Sequence, residues 1–179
     1  MLGALLSRPP SRELLDRVTG LNGDESDLGR GVAALARVAK ATTEKAAETE
    51  FNALFVGLGR GELLPYASFY LTGFLHEKPL ALLRTEMTRL GIARAENVYE
   101  PEDNIASLCE MMSGLIRGRF GTPADLGTQR SFFNTHLGPW GGHFFSDLEQ
   151  AKGSVLYAPV GSVGRAFLEI EREAFRMTA

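Results

Sequence analysis

Three histidines, His76, His136 and His143, and one cysteine, Cys109, are the side chains best suited to hold a metal or to act as base and nucleophile. A metal site needs several donors brought together at short spacings, but Gly138-Pro139 interrupts the one interval that could set two histidines on a helical face. With no cysteine pair or carboxylate cluster beside them, no metal is expected. Cys109 lies within Ile105-Ala106-Ser107-Leu108-Cys109-Glu110-Met111-Met112, where a thiol behaves as a small buried hydrophobe, and alone it cannot form an intramolecular disulfide. Gly57-Leu58-Gly59-Arg60-Gly61 has the glycine density of a phosphate cradle. A dinucleotide loop, however, needs a strand before it and a helix opening on its last glycine. Here a helical segment precedes and Pro65 follows, so the stretch reads as a flexible connection between helices. Ser68 has no nucleophile-elbow context. No catalytic set is legible, and no cofactor is expected.

Two other constellations carry more. Glu100-Pro101-Glu102-Asp103-Asn104 stands immediately before an apolar helical stripe. Proline and acids are favoured at a helix N-terminus, where carboxylates meet orphan amides and the positive dipole end. The run is therefore either a plain helix start or a start with surplus carboxylates free to meet a cationic ligand. Tyr66-Ala67-Ser68-Phe69-Tyr70-Leu71 and Thr135-His136-Leu137-Gly138-Pro139-Trp140, with Phe144-Phe145 following, gather aromatics near helix junctions. Such residues anchor cores, or they line grooves that accept apolar peptide helices.

The elements that must position these groups are helical. Leu80, Leu83, Met87 and Leu90 follow Pro79 at steps of three, four and three and end at Gly91. Ile105, Leu108, Met112, Leu115 and Ile116 form a second stripe, and Val163, Phe167, Ile170, Ala174 and Met177 a third. All three are expected to face the core. Weaker patterns place helices at 11–20, 25–41, 43–56, 67–74, 124–136 and 141–151. Only Ser154 to Val160 could pass for a short strand, and it has no partner. The expectation is an all-α domain spanning 1–179, with eight to ten helices around one core.

The formal net charge of -3 supplies no basic field for nucleic acid. The apolar N-terminus from Met1 to Leu6 is short, lacks a preceding basic region and is not a signal peptide; no apolar run approaches the roughly 20 residues that span a bilayer. A soluble cytoplasmic protein is expected.

Several spaced motifs, in order, resemble the TorD/DmsD family of redox-enzyme maturation chaperones. They are Phe51-Asn52-Ala53-Leu54-Phe55-Val56-Gly57, Tyr66-Ala67-Ser68-Phe69-Tyr70-Leu71, Lys78-Pro79-Leu80, Leu90-Gly91-Ile92, Glu100-Pro101-Glu102-Asp103-Asn104-Ile105 and His136-Leu137-Gly138-Pro139-Trp140. The resemblance covers residues 45–175. It implies a TorD-like helical fold, a cytoplasmic location and no catalysis. It further implies binding of the twin-arginine leader and body of a molybdopterin-containing catalytic subunit, such as a formate dehydrogenase or an S- or N-oxide reductase, with the protein acting as a monomer or a helix-exchanged homodimer. The leader-binding region it implies is Tyr66, Ser68, Tyr70, Leu71, Glu100, Pro101, Glu102, Asp103, Asn104 and Trp140. The family usually has histidine where this chain has Asn104, so no imidazole can titrate there. The chain also starts close to its first helix, and an N-terminal extension seen in some relatives is expected to be absent.

A leader that joins a basic pair to an apolar segment calls for carboxylates beside a hydrophobic groove. Tyr66, Tyr70, Leu71 and Trp140 are expected to shape the apolar wall, and Glu100, Glu102 and Asp103 to face the basic end. Alternatives are an assembly chaperone of the NarJ kind for a subunit that is not exported, a small helical nucleotide hydrolase using Gly57 to Gly61, and an adaptor without client specificity.

Overall fold

Helix starts in this chain are written by capping residues. Ser11, Ser26, Thr43, Asn104 and Asp125 each accept a hydrogen bond from an amide two or three residues on, satisfying a donor that the helix itself leaves orphaned. The computed structural model describes residues 1–57, 59–94, 96 and 98–177. Among them are ten α-helices: α1 Leu2–Ser7, α2 Arg12–Thr19, α3 Asp27–Ala41, α4 Glu44–Phe51, α5 Ala67–Thr72, α6 Lys78–Arg89, α7 Ile105–Arg117, α8 Leu126–Phe132, α9 Gly141–Gln150 and α10 Tyr157–Met177. The fold is all-α, as the spacing predicts, and no strand is present among the described residues. Ser154 to Val160 is a loop that enters α10 at Tyr157 instead.

Three further differences from the sequence reading have local causes. α1 goes unpredicted because six residues are too few to display a period. The helices expected over 43–56 and 124–136 each change their winding partway. α4 passes into a π-helical segment, Asn52–Val56, and α8 into another, Phe133–Leu137. The third stripe, finally, faces the core only at Val163: Phe167, Ile170 and Met177 are exposed, while Val160, Leu168 and Phe175, which lie off the stripe, are buried. α10 has apolar residues on two faces, and the face carrying Gly161 and Gly164 is the one covered. A Cβ on Gly161 would lie 2.6 Å from the Glu149 amide nitrogen, and one on Gly164 would lie 2.3 Å from the Phe145 ring. Only glycine lets α9 come this near. Ile116, likewise, is exposed although the rest of its stripe is buried.

The chain divides into two compact units. The first comprises Met1–Leu64 and Gly142–Ala179. In it α3 packs on both α2 and α10, with Gly31 against Val163. Leu5, Leu15, Leu35, Phe144, Phe145, Leu148 and Val160 are fully enclosed. Its loops are secured by carboxylates. Glu50 accepts from the amides of Val155 (2.7 Å), Leu156 (3.0 Å) and Tyr157 (2.8 Å), which serve as the N-terminal donors of α10. Glu62 accepts from Lys152 (2.8 Å) and Gly153 (3.3 Å). The Tyr157 hydroxyl reaches back to the Leu5 carbonyl at 2.8 Å. The second unit is Pro65–Gly141, where Leu80, Leu83, Ile105, Leu108, Leu115, Phe132, Phe133 and Leu137 are buried.

Gly161→Ala should lower the urea midpoint. The overpacking cost of about 1–3 kcal/mol exceeds the roughly 1 kcal/mol that alanine gains over glycine in a helix. An unchanged or raised midpoint would show that α9 can retreat at no cost.

Candidate functional site

The aromatic run at Tyr66 and the acidic run at Glu100 are brought together in the second unit by a short antiparallel crossing. The Ala67 amide donates to the Asp103 carbonyl (3.0 Å) and the Ile105 amide to the Pro65 carbonyl (2.9 Å), so that Tyr66 and Asn104 sit opposite each other. α5 has no capping side chain of its own. Asp103 supplies one from a distance, its buried Oδ2 accepting from the Ser68 amide at 2.8 Å. The Ser68 hydroxyl in turn accepts from the Glu77 amide at 3.2 Å, tying the approach of α6 to the start of α5. Asn104 caps α7 by accepting from Ala106 at 2.9 Å. This gives the asparagine a structural task that requires no charge.

Glu102 is also committed internally. Its Oε2 receives both Nε (3.1 Å) and Nη2 (2.9 Å) of Arg84, and its Oε1 lies 3.6 Å from Arg94. Burial acts to raise its pKa, but the hydrogen bonds from Arg84 and from its own amide, with the charges of both arginines, hold it below the ordinary glutamate value. Arg94 extends the network to the carbonyls of Val98 (2.6 Å) and Glu100 (2.9 Å). The expectation of free carboxylates therefore fails at Glu102 and Asp103: one is shared between two guanidinium groups and the other satisfies a buried amide. Glu100 is exposed and accepts a hydrogen bond from the Tyr66 hydroxyl. Burial, then that bond and the Glu100 charge, push the Tyr66 phenol above its usual range.

Trp140 is almost wholly buried, with its ring centroid 5.3 Å from that of the half-buried Tyr70. Its indole N–H donates to the His136 carbonyl at 2.7 Å. The π-helical segment makes that acceptor available, because the Gly138 amide reaches to Phe133 and the Trp140 amide to Leu137, bypassing His136. Trp140 is an anchor behind the surface.

Of the ten residues expected at the site, Leu71 and Glu100 are exposed, and Tyr66, Tyr70 and Pro101 half-buried; the others are buried. Sequence reasoning missed Phe74 (70% exposed), Leu75, Leu82 (60%) and Tyr99 (86%). Two signals point to the first three. The apolar run from Phe69 to Leu75 is longer than one helical face can bury, and Leu82 falls off the Leu80-Leu83-Met87 stripe. Gly73, with φ of +83°, ends α5 and so puts Phe74 and Leu75 into a turn. No group of histidine, cysteine and carboxylate side chains that could hold a metal occurs among the described residues. Burial pushes the Cys109 thiol up to about 12, so it is not a thiolate near neutral pH.

The described residues thus form an all-α fold whose second unit carries exposed apolar side chains beside a fixed polar crossing. Residues 22–146 match the family described as "Nitrate reductase delta subunit", and the chain belongs to that family, the TorD-type redox-enzyme maturation chaperones, which are not enzymes. Similar proteins include the chaperone protein TorD of Vibrio cholerae serotype O1, 27% identical over 93% of this chain and 81% of the relative. The chaperone protein TorD of Aliivibrio fischeri is 29% identical over 68% of this chain and 60% of the relative. Among solved structures, one described as a redox enzyme maturation protein from Archaeoglobus fulgidus shares the fold. Its TM-score is 0.64 at 19% identity, covering 94% of this chain and 90% of that one.

Asp103→Ala leaves the Ser68 amide buried without an acceptor and should cost about 1–3 kcal/mol in urea unfolding; full retention of stability would remove the hinge role. The second expectation concerns pH. Burial depresses the pKa of His136 below its ordinary 6.5, although Glu86 opposes the shift. The unfolded chain then binds the proton more readily, so this contribution to stability is complete above about pH 6.5 and is lost as pH falls. The urea midpoint should decline from pH 7.5 to 5.5, and His136→Gln should flatten that slope. An equal slope in the variant would refute the assignment.

Proposed function

We propose that this chain is a cytoplasmic chaperone that binds the N-terminal twin-arginine leader of a molybdopterin-containing oxidoreductase subunit, such as a formate dehydrogenase or an S- or N-oxide reductase. It would aid cofactor insertion and delay export. The observation that carries the reading is the exposure of Leu71, Phe74, Leu75 and Leu82 within one short stretch of the chain, from α5 to α6. Fully burying a leucine-sized side chain contributes roughly 1.5–3 kcal/mol, and an exposed ion pair only about 0–1 kcal/mol. Affinity is thus assigned to this apolar stretch, with Tyr66, Tyr70 and Leu71 in contact with the leader. Ser68, Pro101, Glu102, Asp103, Asn104 and Trp140 are assigned to positioning. Selectivity for the basic pair falls to Glu100 and to Glu77, whose exposed carboxylate has no partner among the described residues.

Calorimetric titration of a synthetic leader into the full chain tests this. Phe74→Ser is expected to weaken binding about tenfold or more, with the helical circular dichroism unchanged because Phe74 is mostly exposed. Glu77→Gln with Glu100→Gln should narrow the preference for a twin-arginine over a twin-lysine leader. Full affinity in the Phe74→Ser variant would end the proposal.

The family description favours a second reading, an assembly chaperone that holds the N-terminus of a subunit retained in the cytoplasm. Capture of such a subunit, with no response to replacing arginines in the peptide, would decide for it.

A further inference from the structure

We infer that the first unit carries a separate docking groove for an acidic amphipathic helix. The groove runs along the end of α3, the start of α4 and the loop before α10, with a volume of about 940 Å³. That is room for roughly two turns of a helix 10–12 Å across with a 5.4 Å pitch. Val38, Ala41, Ala46, Ala53 and Val155 give it an apolar floor, and Val155 is 67% exposed. The small side chains among these admit a helix backbone at close range.

Charge selects the occupant. Arg37 and Lys45 line the groove, and neither side chain has a hydrogen bond or ion pair among the described residues. The acid that lines it, Glu50, has both carboxylate oxygens engaged by the amides of Val155, Leu156 and Tyr157. The threonines there are also engaged: Thr42 donates to Val38, Thr49 donates to Lys45, and Thr43 caps α4. Nearby Glu44 accepts from the Arg12 amide, and exposed Glu48 does not line the groove. Two unpaired cations thus border an apolar trough in a chain whose formal net charge is -3. The partner chemistry that complements this is a helix with a leucine-type face flanked by aspartate or glutamate.

The wall is also fixed beforehand. Glu50 and Glu62 hold residues 152–157 by accepting five backbone amide hydrogen bonds, so Gly153 and Val155 need little ordering on binding. The inference is independent of the leader reading, since none of these residues belongs to the stretch assigned to the leader.

The test uses a fluorescent synthetic helix with leucines at three- and four-residue spacing and glutamate flanks, titrated into the full chain by anisotropy. Saturable binding is expected, weakening with added salt. It should fall about tenfold or more in both Arg37→Glu/Lys45→Glu and Ala46→Trp, which alter exposed positions and should leave circular dichroism and leader binding unchanged. Absence of binding, equal binding of a lysine-flanked helix, or indifference to both variants would overturn the inference. So would concentration-dependent dimerisation abolished by Arg37→Glu/Lys45→Glu, since a second copy would then be the occupant.

Discussion

Both units rely on one interaction, a carboxylate on one segment accepting the orphaned amides of another that is remote in sequence. Glu50 does this for the start of α10 and Asp103 for the start of α5. Charge-assisted bonds of this kind are stronger than neutral ones, and each replaces a cap that the receiving helix lacks locally. Neither α1 nor α5 is long enough to be stable alone. Short helices of this sort persist because distant groups complete them.

The same economy explains why the acidic motif looks like a ligand site in sequence and acts mainly as a brace in space. A carboxylate next to a helix start can face outward or back into the fold, and composition does not distinguish the two. Glu102 turns toward Arg84 and Arg94, Asp103 toward Ser68, and Glu100 alone of the three stays at the surface. What the motif gives the site is a fixed angle between α5 and α7, with the apolar turn of Phe74 and Leu75 presented at the end of α5.

Legibility in the sequence followed the physics of periodicity. α6 and α7 are readable because each has one apolar stripe with clear punctuation, Pro79 and Gly91 for the first and the Glu100–Asn104 run for the second. α10 was readable as a helix but not in its orientation, because glycines that enable close packing count as nothing on a hydropathy scale. The π-helical segments were invisible for a related reason: their hydrogen-bond shift alters winding without altering composition. At the candidate site, Tyr66, Tyr70 and Leu71 come forward through the family motif, whereas the exposure of Phe74, Leu75 and Leu82 depends on where a turn falls.

The winding at Phe133–Leu137 has an evolutionary corollary. A π turn accommodates one residue more than regular helix needs, so it is where a chain can lose a residue and keep both flanking helices in register with themselves. Such a deletion would return the His136 carbonyl to the backbone ladder, where the Trp140 indole would have to compete for it. Helix length here and the setting of residue 140 are thus linked: shortening the segment would make the indole and the helix share one carbonyl.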